Sequence, residues 1–350
     1  MYLNFRLEKE DSDYCRVLMH EDCDPNKKIQ YLRFDFLPWG INQAGFLASL
    51  GSQLTARDNL SHSDPDTCRA MVENVMMDDY NDSAQKLSVL RNRAPDLIRL
   101  AATSGMIFTK WDTNDLRILD FVPKDKWAKN CGPTLDKDLY DPNEKEFSVF
   151  GQEAERKMLG TKLFKKNDQL GLKVNIRDDK MITKRKASSQ TATIFDLFGI
   201  AAAVLLIGKL LIQKMHSLKL KWDDPPPEEL ANAWVKWTSE LHLLAEAKIA
   251  RCIIKKEGAI KTDVHIFSDA SKVGMGFVAY FRTVFEDGEV DVVYAYGKSA
   301  VVPLQNQANI QRLELEGVLF ACEKTNIILK PLSIDINQIF FGQIAHIHCI

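Results

Sequence analysis

Three consecutive prolines, Pro225 to Pro227, directly after Trp222-Asp223-Asp224, constrain this 350-residue chain more than any other stretch. Proline fixes φ, lacks a backbone N–H and cannot extend a helix or pair as an interior strand, so a boundary must fall there. Before it, Lys184 to His216 reads as helix with a break near Phe198-Gly199. After it, Glu228-Glu229 opens a helix whose Leu230, Trp234, Trp237, Leu241 and Leu244 recur at three and four, a core stripe rather than a cofactor box. The period then shifts to strands at Val264 to Phe267, Gly276 to Phe281 and Val290 to Gly297, followed by a helix over Leu313 to Ile328.

Upstream, strands alternate with helices. Tyr2 to Leu7 and Tyr14 to Met19 read as strands around a polar turn, and Ile29 to Leu37 returns after the turn Asp24-Pro25-Asn26. Asn42 to Leu60 is helical, with Phe46, Leu47, Leu50 and Leu54 at helical spacing. Asp64 to Met71 starts another helix, capped by Ser63 or Asp64. Val75 to Met77 is a short strand turning at Asp78-Asp79. Asp82 or Ser83 caps a helix reaching Ile98, which Pro95 kinks or restarts, and Met106 to Trp111 is a strand. Pro123 to Lys145 reads as a loop, and strand signals resume at Met158 to Leu163 and Leu172 to Ile176. This order predicts an α+β and α/β multidomain protein.

At 45% apolar, the chain has enough material for a sizeable core and two or three domains. Its net charge of −2 excludes a uniformly basic nucleic-acid binder. Arg156 to Lys186, however, holds eleven Lys or Arg against three Asp, a net of +8, which is either a polyanion site or a solvated hairpin. The seven scattered cysteines form no CxxC pair or zinc spacing and read as reduced thiols. The N-terminus lacks a signal-peptide pattern, and the apolar run Leu197 to Ile207 is too short to span a membrane, so it reads as a buried core helix. An intracellular protein, cytoplasmic or nuclear, is expected.

Two acid constellations carry the chemistry. Met76-Met77-Asp78-Asp79-Tyr80 places adjacent carboxylates at a hairpin tip. Mg²⁺ binds through one or two carboxylates plus substrate phosphates, so such a pair suits phosphoryl transfer, although an Asp-Asp pair alone is most often a solvated turn. Ile266-Phe267-Ser268-Asp269 ends a strand in an acid, and Arg312-Leu313-Glu314 opens a helix with another. The two either converge on a metal or remain an ordinary turn and helix-surface acid.

In their order, these segments resemble the reverse transcriptase and ribonuclease H region of a BEL/Pao-type long-terminal-repeat retrotransposon polyprotein. Leu37-Pro38-Trp39-Gly40-Ile41 with Ala44-Gly45-Phe46 resembles the family's Pro-Phe-Gly-Leu and Ser-Pro-Phe palm signal, and Met76 to Tyr80 its Tyr-Val-Asp-Asp turn. Gly105 to Trp111 with Asn114 resembles Gly-Gly-Phe-x-Leu-x-Lys-Trp-x-Ser-Asn, and Leu159-Gly160 the primer-grip Leu-Gly. Thr183-Lys184-Arg185 and Ile194 to Gly199 resemble the thumb, the latter with Asp-Leu-Phe-Gly where the family has Asp-Pro-Leu-Gly. Trp222 to Leu230 with Trp234 and Trp237 resembles the connecting segment.

The resemblance implies a partial palm and primer-grip hairpin over 1–180 with the fingers largely missing, a helical thumb and connection over 181–258, and a ribonuclease-H-like mixed sheet with helices over 259–350, incomplete at its C-terminus. It implies two-metal phosphoryl transfer using Mg²⁺ or Mn²⁺ held by Asp78, Asp79, Asp269 and Glu314, with Lys110 near the triphosphate. It makes Tyr2, Trp39 and Gly40 nucleotide-binding, and Gly160, Lys162, Lys165, Lys166, Lys184 and Arg185 nucleic-acid-binding. RNA template, DNA primer, RNA–DNA hybrid and dNTPs are the implied partners, with no membrane. The same comparison places the family's first metal-binding Asp before Met1 and puts Ile344 where the third ribonuclease H acid belongs, with Asp335 an alternative only in another register. The expectation is therefore a weak or inactive polymerase fragment or, alternatively, a catalytically dead remnant that still binds nucleic acid.

Overall fold

The computed structural model describes residues 4–76, 79–128, 131, 155–158, 161–176, 182–305, 308–332 and 334–343, with backbone alone for 76, 155–158 and 343. The chain divides into two compact units, Met1–Gly151 and Gln152–Ile350. The basic hairpin thus lies in the second unit, together with the helices and the sheet that follow it.

In the first unit, one helical turn, α1 (Lys9–Ser12), fills the expected polar turn. Strands β1 (Arg16–His20) and β2 (Ile29–Arg33) then pair antiparallel, with Leu18 opposite Tyr31. The turn between them is set by Asp24, whose Oδ1 accepts the Asn26 N–H at 2.9 Å. Helix α2 (Ala44–Asp58) forms as its spacing predicts, yet its buried face is the small one, Ala44, Ala48, Gly51, Ser52, Thr55 and Ala56. Phe46 and Leu54 remain exposed. The reason is close packing: a Cβ on Gly51 would lie 1.9 Å from the Phe5 ring, so only glycine admits that aromatic.

Asp64 caps α3 (Pro65–Glu73) through the Thr67 N–H at 2.8 Å. Strands β3 (Val75–Met76) and β4 (Asp79–Tyr80) form the expected hairpin, Val75 opposite Tyr80 and Met76 opposite Asp79. Helix α4 (Leu87–Ala102) runs through Pro95 as one element, and its Leu97, Leu100 and Ala101 meet Ala56, Cys68, Met71 and Met106 in the core. The strand expected over Met106 to Trp111 does not form. Lys110 takes φ +57°, a left-handed conformation that interrupts an extended ladder, and Trp111 makes a single bridge to Trp127.

The second unit begins with a four-stranded antiparallel sheet, β5 (Glu155–Met158), β6 (Thr161–Phe164), β7 (Gln169–Leu172) and β8 (Lys248–Ala250), in that order. Its β6–β7 turn comes earlier than the sequence pattern predicted, because Asp168 takes φ +51° and is held bidentately by Arg251 at 2.6 and 3.0 Å. Thr183 caps α5 (Lys184–Ala192), and α6 (Ala202–Ser217) and α7 (Glu228–Glu240) follow on either side of the proline boundary. Leu230, Trp234, Trp237 and Leu241 are buried as their stripe predicted. Trp237 enters a notch at Gly208, where a Cβ would come within 2.4 Å of the ring, and donates its indole N–H to Val204 O at 2.9 Å.

The final sheet has the order β11-β10-β9-β12. Strands β9 (Ala259–Ala270), β10 (Gly274–Phe285) and β11 (Val290–Val301) run antiparallel, and α8 (Ile310–Leu329) carries the chain to β12 (Gln338–Gln343), parallel to β9. This is a mixed α+β layer, as predicted. The run Leu197 to Ile207 is not one buried helix, however. Helix α6 starts at Ala202 because the Asp196 carboxylate accepts the N–H groups of Ile200 and Ala201, each at 2.8 Å, and Leu197 and Ile207 are exposed. Among the described residues no helix is long and apolar enough to cross a membrane.

Helix α6 packs directly on β11. Phe198 O accepts the Gly297 N–H at 3.0 Å and the Tyr294 hydroxyl at 2.9 Å, and Ser299 Oγ donates to Ala202 O at 2.5 Å. Gly199 takes φ +75°, and a Cβ there would stand 1.6 Å from Gly297 O. Gly199→Ala should therefore cost at least about 3 kcal/mol in urea unfolding, combining left-handed strain with backbone overlap; a loss under about 1 kcal/mol contradicts this contact.

Burial, the largest influence, holds the Asp196 carboxyl above its ordinary value, opposed by the N–H groups it caps. A carboxyl with a raised folded-state value binds its proton more tightly folded than unfolded. Its contribution is fully present below the unfolded value of 3.8 and is lost as pH rises through the raised one. Asp196→Asn, which keeps one of the two acceptor oxygens and cannot titrate, should flatten the fall in stability across that acidic window, as read from urea midpoints against pH.

Candidate functional site

Asp269 and Glu314 lie on a strand and a helix that meet at Gly317, at one end of the final sheet. Asp269 is the penultimate residue of β9, and Glu314 lies in the first turns of α8, whose N-cap Asn309 accepts the Arg312 N–H at 2.9 Å. Gly317 brings helix and strand into contact: a Cβ on it would lie 3.3 Å from Ala270 Cβ and 3.7 Å from Asp269 O. Glu314 precedes Gly317 by three residues, so it shares that helix face. Leu313 packs beneath with Ala270 and Val302. Both acids are partly exposed, and neither has an ion-pair partner among the described residues.

Strand β12 runs beside β9 until Gln343 stands opposite Ser268. Ile344, the position the resemblance gave to the third acid, lies outside the described residues. Asp335 precedes β12, where Asn337 is paired with Thr262 by hydrogen bonds of 2.8 Å in both directions. Thr262 is seven residues from Asp269 along β9, about 23 Å at strand rise, so Asp335 belongs to the opposite end of the sheet. Among the described residues no group of three or more His, Cys, Asp or Glu converges to hold a metal. Two carboxylates nonetheless suit Mg²⁺, which takes one or two and completes its shell with water and substrate phosphate.

In the first unit, Asp79 is exposed on β4, while Asp78 and Tyr2 lie outside the described residues. Asp79 and Tyr80 line a cleft of about 410 Å³ with Ser52, Met71, Val75 and the segment Met106-Ile107-Phe108 that leads to Lys110. Lys110 is exposed, Trp39 is 68% exposed, and Gly40 makes an open turn at φ +95°.

Beneath the hairpin is a polar network that the sequence reading missed. Asp82 accepts the Tyr80 hydroxyl at 2.8 Å, Asn74 Nδ2 at 3.1 Å and Arg93 Nη1 at 3.0 and 2.8 Å. Burial, followed by the Asp82 charge, pushes the Tyr80 phenol up. For Arg93, burial acts to lower the guanidinium, but hydrogen bonding and charge from Asp82 outweigh it and raise it. Asp82 lies in the coil before α4 and Arg93 within it, so no shared periodicity signalled the pair.

The predicted nucleic-acid contacts separate into different environments. Lys162 lies on β6, Lys165 is buried and Lys166 is exposed, whereas Gly160 is outside the described residues. Lys184 is buried: its ammonium donates to Leu220 O at 2.6 Å and lies 4.9 Å from the Trp222 ring. Arg185 forks onto Asp223 at 2.8 and 3.0 Å and also covers Trp222. This pair clamps the chain entering the proline boundary, so Lys184 is committed internally rather than offered to phosphate.

Arg93→Met, which leaves Asp82 buried without its cation, should cost about 3 kcal/mol, and Tyr80→Phe about 1 kcal/mol. Urea midpoints of the two variants check the order; equal effects would show that the ion pair does not hold the hairpin base.

The sequence matches the family model described as the Pao retrotransposon-like RNaseH-like domain over residues 183–343, just under half of the chain. No curated protein matches it. Among solved structures, the foamy viral protease-reverse transcriptase in complex with dsDNA is similar over 97% of this chain and 56% of that one, at 12% identity and a TM-score of 0.48. The chain thus spans little more than half the length of that neighbour. The matched range takes in α5, α6 and α7 as well as the sheet bearing Asp269 and Glu314. Over residues 183–343, then, the chain is similar to the Pao retrotransposon-like RNaseH-like domain.

Proposed function

We propose that this chain is a retrotransposon polymerase and nuclease region whose second unit cleaves RNA within an RNA–DNA hybrid. The observation that carries this reading is the strand-helix contact at Gly317, which sets the element bearing Asp269 against the one bearing Glu314 inside the segment that matches the RNaseH-like family. Two carboxylates that share one strand-helix junction hold concentrated negative charge in a part-open site. A divalent cation bound there supplies Lewis-acid stabilisation of the phosphate and an activated water. The protein's own part is to fix the two acids and to leave room for the hybrid's backbone.

In the first unit, the Asp78-Asp79 turn is proposed as the remnant of a polymerase palm, with Lys110 near the nucleotide phosphates. Its activity is proposed to be weak or absent in this chain. The basic stretch Arg156 to Lys186 supports a second reading, a chain that binds nucleic acid without cleaving it.

Cleavage of a labelled RNA–DNA hybrid by the full chain with Mg²⁺ or Mn²⁺ separates these readings. The nuclease reading expects cleavage that falls about a hundredfold or more in Asp269→Asn and in Glu314→Gln, while Asp78→Asn leaves it unchanged. Salt-sensitive hybrid binding with no acid-dependent cleavage favours the second reading instead.

A further inference from the structure

The turn after Asp269 is braced from a helix outside the sheet. Within that turn, the Ser271 N–H and Oγ donate to Gly274 O at 2.8 and 3.0 Å, and the Gly274 N–H donates back to Ser271 Oγ at 3.2 Å. The Val302 N–H donates to Val273 O at 2.9 Å, tying the turn to the end of β11. Val302 O in turn accepts Gln213 Nε2, on α6, at 2.7 Å. Leu206, two turns earlier on the same face of that helix, reaches the turn itself: a Cβ on Gly274 would lie 3.0 Å from Leu206 Cδ2 and 3.3 Å from Ala300 O.

Asp269 therefore sits between two fixed supports. Helix α8 presses on its backbone at Gly317, and α6 holds the turn that follows it through Leu206 and through Gln213 and Val302. Among the described residues, Asp269 pairs within its sheet with β10 alone, Gly276 standing opposite. Its side-chain position is then set by the turn that leaves it, and a misplacement of about 1 Å in a reacting group costs about a hundredfold in rate.

We propose that Gln213 and Leu206 of α6 are positioning residues for Asp269, so that the helix preceding the sheet belongs to the nuclease site's support and does not swing as a separate arm. This rests on the nuclease reading of Asp269.

Amide hydrogen exchange of the full chain, resolved by peptide, provides the test. Gln213→Met removes the donor at nearly constant volume, and Gly274→Ala crowds Leu206. Each should raise exchange at residues 269–274 about tenfold, while the 286–289 turn at the far end of the sheet stays at the wild-type rate. Leu206→Ala, which removes the brace itself, should raise exchange at 269–274 as well, whereas a general loss of stability would raise it in every strand. In hybrid cleavage, Gln213→Met should lower kcat and leave KM near wild type. Unchanged exchange at 269–274 in the folded variants, Leu206→Ala included, or an equal rise in every strand overturns the proposal. Exchange that behaves as expected in a chain without Asp269-dependent cleavage overturns the nuclease reading alone and leaves the brace standing.

Discussion

The second unit depends on one backbone approach, Gly199 against Gly297. There the carbonyl of Phe198 accepts two hydrogen bonds from β11, and no side chain separates the two backbones. A helix can lie that close to a strand only if both contact residues lack a Cβ. Asp196 then caps the start of α6, and the helix runs along the sheet with Ser299, Lys209 and Gln213 marking its path. Lys209 pays for that course: burial and the nearby Lys298 lower its ammonium. What resembles a polymerase thumb in sequence packs, in this fold, against β11 of the final sheet. The start of the matched family segment at residue 183 agrees with that organisation.

The helices reach this position because their connection is locked at both ends. Lys184 and Arg185 grip Leu220, Trp222 and Asp223 just ahead of the three prolines, and Trp237 fills the Gly208 notch on α6. The prolines stop the chain, and the clamp fixes the direction in which it restarts. Basic residues that attract attention as phosphate contacts are thereby used for architecture. A buried lysine with a carbonyl and an aromatic face as partners is stabilised where it is and would lose those contacts on reaching for a ligand.

Much of this was legible in advance. The α7 stripe, the pairing of β3 with β4, the Asp64 cap and the three antiparallel strands followed from period and cap chemistry, because each depends on neighbours close in sequence. The failures share a different cause. Helix α2 turned its small residues inward since Phe5, far away in sequence, occupies the Gly51 notch. The strand expected at Met106 to Trp111 was broken by a left-handed Lys110, for which lysine carries no sequence signal. The Asp82 and Arg93 pair and the Gly199 and Gly297 contact join residues with no shared periodicity. At the proposed site, the resemblance singled out Asp269 and Glu314, but Gln213 and Leu206 were invisible because their contacts exist only across packed layers.

Native-state hydrogen exchange on the full chain as a function of denaturant tests the organisation most directly. If α6 and the sheet are one body, the slowest amides of α6 and of β10 and β11 will open with a common free energy and a common denaturant slope. An α6 that opens at lower free energy, with its own shallower slope while the sheet stays protected, would contradict the account.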